Sequence, residues 1–212
     1  MSLQSLANRP DEVVVVDGGI ETDAWSLAET FRHDLNIHYI REEPRGVYQA
    51  MNAGHAASSG ELIHYLNGGD EIIDFDYSTI SAPIRIRVQI CDEMGQPLWW
   101  DKISIGGYGY CHQGLIFLVG HPEYSNGFLI AADFELIKQV FPDGLSRLPT
   151  SSGGFVRYRL GGLSSERSRE RDNEIAKILF SSGELLLFFK FIAVACLKKV
   201  MGKSLRRRLK SL

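Results

Sequence analysis

Cysteine is scarce in this sequence and has no partner spacing. Cys91, Cys111 and Cys196 form an odd set without a C-x-x-C pair. That excludes a disulfide framework and a structural zinc site, and it points to a reducing cytoplasm. Long apolar runs are also missing. No stretch reaches the roughly 20 apolar residues that a membrane-spanning helix needs. The start, "MSLQSLANRPDEVVVV", lacks the basic-then-apolar order of a signal peptide. No G-x-G-x-x-G or Walker loop occurs, so the two common glycine-rich nucleotide cradles are absent. There is no internal repeat.

Positive charge is in deficit over most of the chain. Residues 198–212, "KKVMGKSLRRRLKSL", carry seven basic and no acidic side chains, leaving 16 basic against 26 acidic elsewhere, a net of −10. An acidic body with a cationic tail is not the footprint of a nucleic-acid binder, whose cations line a folded face. We therefore expect no nucleic-acid partner. The tail calls for an anionic surface or open water.

What is present is an alternating pattern. "DEVVVVDGG" (11–19) is a β-branched run closed by Asp-Gly-Gly, as in strands buried on both faces. A helix follows over 22–35, with Thr22 or Asp23 as its N-cap. Residues 36–43 read as a strand, 46–58 as a helix and 61–67 as a third strand. Such a succession predicts a doubly wound, mostly parallel sheet, an α/β fold. Ligands then sit beyond the carboxyl ends of the strands, where Asp17 and Asp70 fall.

From residue 84 the pattern changes. Residues 84–90 and 97–105 alternate and predict a small, more solvated antiparallel pair. "HQGLIFLV" (112–119) is open between strand and helix. Residues 129–141 predict an amphipathic helix, 153–165 a strand and glycine turn, and 164–180 a surface helix. The length of 212 residues fits one domain over 1–181 and an appendage over 182–212.

A carboxylate at a strand end, followed by glycines, can accept a hydrogen bond from a base or ribose while the backbone turns away. A second one can hold Mg²⁺ or Mn²⁺, which take few protein carboxylates and let diphosphate oxygens complete the shell. The plainer reading is that Asp17 and Asp70 cap turns. Their occurrence at matching strand ends favours a site.

"VVVVDGG" (13–19), "EEPRGVYQAMNAG" (42–54), "HYLNGGD" (64–70), "CHQGLIF" (111–117), "IAADFEL" (130–136) and "RYRLGGLSS" (157–165) follow in this order. Together they resemble family 2 glycosyltransferases with the GT-A fold, over about residues 1–180. The likeness is to the colanic-acid and exopolysaccharide-type enzymes with an E-P-D-x-G-I-Y-D-A-M-N-K-G segment. The E-P…G-[IV]-Y-x-A-M-N-x-G stretch is the specific part.

The resemblance implies an inverting sugar transfer from a nucleotide-sugar donor to a saccharide acceptor, lipid-linked in polysaccharide assembly. Asp17 would bind the nucleotide, Asp70 would stand at the metal–diphosphate position, and Asp133 would be the general base. Glu43 or Arg45 could touch the donor from the loop before Gly46, with Asn67 and Gly69 beside it. Asn52 is open between a helix-face contact and a donor contact. His112 and Gln113 resemble the family's acceptor-side pair. Tyr48 and Met51 read as core contacts. His33, His38, His55, His64 and His121 show no metal-ligand spacing.

Two departures stand out. Gly69 occupies the place where relatives carry a second acid. The family's first strand, of the "S-I-I-T-P-x-x-N" kind, has no counterpart, so a catalytically inactive interaction or regulatory partner is the alternative expectation. At the other end, residues 185–197 are apolar except Lys190. As a helix they could lie on the inner face of a membrane, with the adjoining cations on anionic lipid, or pack on the domain.

Overall fold

The computed structural model describes residues 9–19, 24–43, 45–162 and 166–200. Its first unit is parallel. β1 (Val13–Asp17) and β2 (Ile37–Arg41) pair from Val13↔Ile37 to Asp17↔Arg41, connected through α1 (Ala24–Phe31). The expected N-cap, Thr22 or Asp23, lies outside the described residues.

α2 (Val47–Ala57) carries two packing faces. Tyr48, Met51, Asn52 and His55 recur at i, i+3, i+4 and i+7, so they form one stripe. Tyr48 and Met51 join a core with Tyr65, Leu115, Phe117 and Leu136. The opposite side approaches β1, where Gly54 lies against Val16. α2 is thus wedged between the parallel pair and the main body.

β3 (Leu62–His64) does not extend the parallel ladder. It pairs antiparallel with β8 (Leu115–Leu118), which also pairs antiparallel with β5 (Ile84–Arg85). The third sheet runs β4-β9-β6-β7, from β4 (Glu71–Ile73), β9 (Phe155–Arg159), β6 (Val88–Cys91) and β7 (Pro97–Trp100). Only β9 and β6 are parallel there. The α/β class stands, with both pairing senses and C-terminal helices, but parallel pairing is the minor part among the described residues. β3 takes its partner from β8, and no described strand pairs with both β1 and β3. A side chain spans the gap instead, where Glu12 accepts from the Ser59 and Gly60 amides at 2.5 and 3.0 Å.

The ambiguous 112–119 segment resolves into both alternatives. His112–Gly114 form a single 3₁₀ turn, and β8 follows. Gly114 permits it, because a Cβ there would stand 2.8 Å from the Ile86 carbonyl oxygen. The expected antiparallel pair, β6 and β7, is present, yet Val88, Ile90 and Cys91 are buried rather than solvated. α3 (Ala132–Val140) starts later than its apolar pattern, and α4 (Ser168–Ser181) packs Ile175, Ile178 and Leu179 beside Phe134. The last described helix, α5 (Leu185–Val200), packs Leu187, Phe188 and Phe191 onto that same cluster.

Candidate functional site

The carboxyl ends of β1 and β2 meet the start of α2 around a cavity of about 300 Å³, lined by Val16, Gly18, Glu43, Arg45, Gly46 and Val47 among others. This is where an α/β sheet places ligands. Asp17 ends β1 beside it, with its carboxylate held in place. Oδ1 accepts from the Gly19 amide at 2.8 Å, and the Tyr39 hydroxyl donates to Oδ2 at 2.5 Å. Glu43 and Arg45 stand exposed on the rim, 3.5 Å apart as an ion pair. Pro44, between them, lies outside the described residues.

Asp70 reaches its place by a different route from the one the sequence suggests. β3 ends at His64, and Asp70 immediately precedes β4 rather than closing β3. A turn closed by the Asp70 amide on the Asn67 carbonyl delivers it, with Gly69 at φ 95°, the left-handed region that favours glycine. Oδ1 accepts from the Arg159 amide at 3.0 Å. Burial pushes the Asp70 carboxyl up to about 6, against the pull of that amide and of the Arg159 charge. Its neighbour Glu71 bridges Arg157 and Arg159, each at 2.6 Å.

Asp133 sits in the first turn of α3, where the helix dipole favours an anion. Burial nevertheless pushes its carboxyl up to about 6, against the opposing bonds from the Phe134 amide and Tyr48 and the charge of Arg171. The Tyr48 hydroxyl lies 2.7 Å from the Ile130 carbonyl and 3.1 Å from Asp133 Oδ1. One proton faces two acceptors, so the hydroxyl is shared between the carbonyl and the carboxylate and only partly offsets the burial of Asp133. Glu135, two positions on, makes no such contact; one of its oxygens is buried without a hydrogen-bond partner.

The Cys111 thiol is driven well up by burial and then by the charges of Asp101, Asp70 and Asp133; of these, Asp101 touches the residue itself, accepting from the Cys111 amide at 2.6 Å. α2 connects Asp133 to the cavity at the β1 and β2 ends: Gly46 and Val47 line the cavity, and the next residue, Tyr48, meets Asp133.

Other expected contacts are used internally. The Asn52 amide clamps the Tyr124 backbone, donating to its carbonyl at 3.0 Å and accepting from its N–H at 2.8 Å. This is a helix-face contact, and it fixes α2 against the 121–133 segment. His112 and Gln113 are buried, with 2% and 5% of their surface exposed. His112 Nε2 bonds the Tyr124 hydroxyl, and Gln113 Oε1 accepts from the Cys111 thiol. Burial pushes His112 down to about 3, so it stays neutral.

Tyr48 is the functional neighbour that sequence reading missed. Its place on the apolar stripe reads as core, and its ring is; only the hydroxyl betrays the second use. Removing that hydroxyl in Tyr48→Phe takes a hydrogen bond from ionised Asp133, so the Asp133 midpoint should rise above about 6. A carboxyl-resolved NMR titration checks this. An unchanged or lower midpoint would show that the contact does not act on the carboxylate.

Residues 2–76 match the family model described as Glycosyl transferase family 2. No curated protein matches the chain. Among solved structures, S. aureus TarS 1–349 in complex with UDP aligns with a TM-score of 0.60 at 14% identity, over 86% of this chain and 62% of that one. The complex of TarS 1–349 with UDP-GlcNAc gives 0.58 at 13% identity, over 80% and 56%. A further S. aureus TarS structure gives 0.57 at 15%, over 79% and 34%. The chain therefore spans between 34% and 62% of these proteins' lengths. At such identities the likeness establishes the fold, a GT-A-like glycosyltransferase fold.

Proposed function

We propose that the chain transfers a sugar, with inversion, from a nucleotide-sugar donor to a saccharide acceptor of polysaccharide assembly, one that is lipid-linked. The observation that carries this reading is the cavity at the carboxyl ends of β1 and β2, beside Asp17, which α2 connects through Gly46, Val47 and Tyr48 to the elevated carboxyl of Asp133. The family model over residues 2–76 supports it, and so does the likeness to structures holding UDP and UDP-GlcNAc.

In the reaction, Asp133 as carboxylate takes the proton of an acceptor hydroxyl. The acceptor oxygen bonds to the anomeric carbon as the bond to the diphosphate oxygen breaks. The nucleoside diphosphate leaves with that electron pair, so configuration inverts. A carboxylate whose conjugate acid titrates near 6 is a stronger base than an ordinary aspartate, yet still mostly ionised at neutral pH. Asp17, Glu43 and Arg45 would hold the nucleotide at the cavity by the β1 end.

No group of three or more His, Cys, Asp or Glu is placed to hold a metal ion among the described residues. A cation shared between one carboxylate and a diphosphate needs no such cage. Asp70 fits that role, with Asn67 and Gly69 shaping its turn; Mg²⁺ or Mn²⁺ there would offset charge on the leaving diphosphate.

Calorimetric titration with UDP, followed by release of UDP from UDP-GlcNAc, tests the reading. Binding with turnover is the expected result. Binding without turnover on any nucleotide sugar, or no nucleotide binding at all, would overturn the reading and favour the non-catalytic alternative.

A further inference from the structure

α5 breaks the rule that a surface helix turns polar residues to water. One side, Leu187, Phe188 and Phe191, packs against the Phe134 and Leu179 cluster. At about 100° per residue, Leu185, Leu186, Phe189, Ile192, Val194 and Leu197 fall on the remaining arc. All six are exposed, Leu186 by 71% and Phe189 by 64%. Through residue 197, Lys190 is the one charged side chain of the helix. Phe180, itself 61% exposed, packs edge-on against Phe188 at 5.5 Å and widens the patch.

An apolar face of this size marks an interaction surface, and the adjoining charge says of what kind. From Leu185 to Leu212 the sequence has no acidic residue, and after Leu197 it has seven cations. We propose that α5 lies flat on an anionic lipid surface, with Leu186 and Phe189 below the headgroups and Lys190 extending to the phosphates. A single planar partner then satisfies the apolar arc and the cations together. A second copy of the chain could cover the arc, but an identical segment offers those cations no acid. No helix among the described residues is long and apolar enough to cross a membrane, so α5 lies on the surface rather than through it.

Orientation follows from the same charges. The body, at net −10, is repelled by an anionic leaflet, so only the α5 side can approach. Lys138, paired with Glu184 at the start of α5, anchors the helix to α3 and keeps its packed face toward the body. The inference is independent of sugar transfer and would hold for a non-catalytic chain.

Co-sedimentation of the full chain with vesicles tests it. Vesicles of phosphatidylcholine mixed with phosphatidylglycerol should bind at least roughly tenfold more tightly than phosphatidylcholine alone, and high salt should remove the difference. Leu186→Glu/Phe189→Glu replaces only exposed side chains, so it should fold by circular dichroism and lose that binding. Arg206→Gln/Arg207→Gln/Arg208→Gln should weaken it without touching the helix face. Equal binding to both vesicle types, no vesicle binding, or a dimer in sedimentation equilibrium that the glutamate variant dissociates would each overturn the proposal.

Discussion

Asp133→Asn should lower sugar transfer by roughly a thousandfold, within the range that loss of a positioned general base produces, while nucleotide binding stays within about twofold. Asparagine keeps the shape of the side chain and can still accept from the Phe134 amide and Tyr48, so the loss isolates basicity. The wild-type rate should rise as pH increases through about 6, the elevated Asp133 midpoint, and then level. The variant's residual rate should be flat over that range. Rate–pH profiles of both proteins, at saturating donor, make the comparison. A variant retaining a tenth or more of the wild-type rate would move the base elsewhere, with Glu135 the next residue to replace.

Stability should move the other way. A folded-state carboxyl near 6, against an ordinary 3.8, means that the fold disfavours the ionised form. The corresponding contribution to stability is fully present below 3.8 and is lost as pH rises through about 6. Near neutral pH the uncharged asparagine should therefore melt at the same temperature as aspartate or higher. His112 has the opposite sign: held down to about 3, it contributes stability above its ordinary 6.5 that falls away as pH drops toward 3.

Periodicity carried much of the frame, and the failures have particular causes. β1, β2 and α2 are legible because β-branched runs and the Tyr48–Met51–Asn52–His55 stripe each serve one burial direction. β3 is legible as a strand but not in its pairing, since Leu62–His64 would suit either ladder and the partner, β8, lies far along the chain, 52 residues on at His64↔Ile116 and 56 at Leu62↔Leu118. The site splits in the same way. Asp133 and Asp70 are visible as acids in recognisable segments, whereas the Tyr48 hydroxyl and the Asn52 clamp depend on contacts across 85 and 72 residues of chain, and the burial of His112 on packing against Tyr65 and Tyr124. α5 shows the limit most clearly: composition offered surface or core, and one helix does both.

Asp70→Asn should abolish the effect of Mn²⁺ on nucleotide binding. Wild-type affinity for UDP should improve at least roughly tenfold, about 1.4 kcal/mol, when Mn²⁺ is added, and the variant should show no such gain. Without metal the two proteins should bind alike, because asparagine preserves the oxygen that accepts the Arg159 amide and so keeps the turn onto β4 in place. Asp70→Ala would lose that bond as well, and its failure would not separate structure from metal binding. The elevated carboxyl supports a site short of positive charge: Arg159 lies nearby, but its guanidinium is drawn to Glu71 and only partly offsets the burial. A divalent cation on Asp70 would make good that deficit and bring the midpoint down, so Mn²⁺ binding should release protons near pH 6. Calorimetry in buffers of different ionisation enthalpy reads both the affinity and the proton release. If Mn²⁺ leaves wild-type UDP affinity unchanged, the metal role of Asp70 is wrong, and the cationic pair Arg157 and Arg159 becomes the candidate partner of the leaving diphosphate.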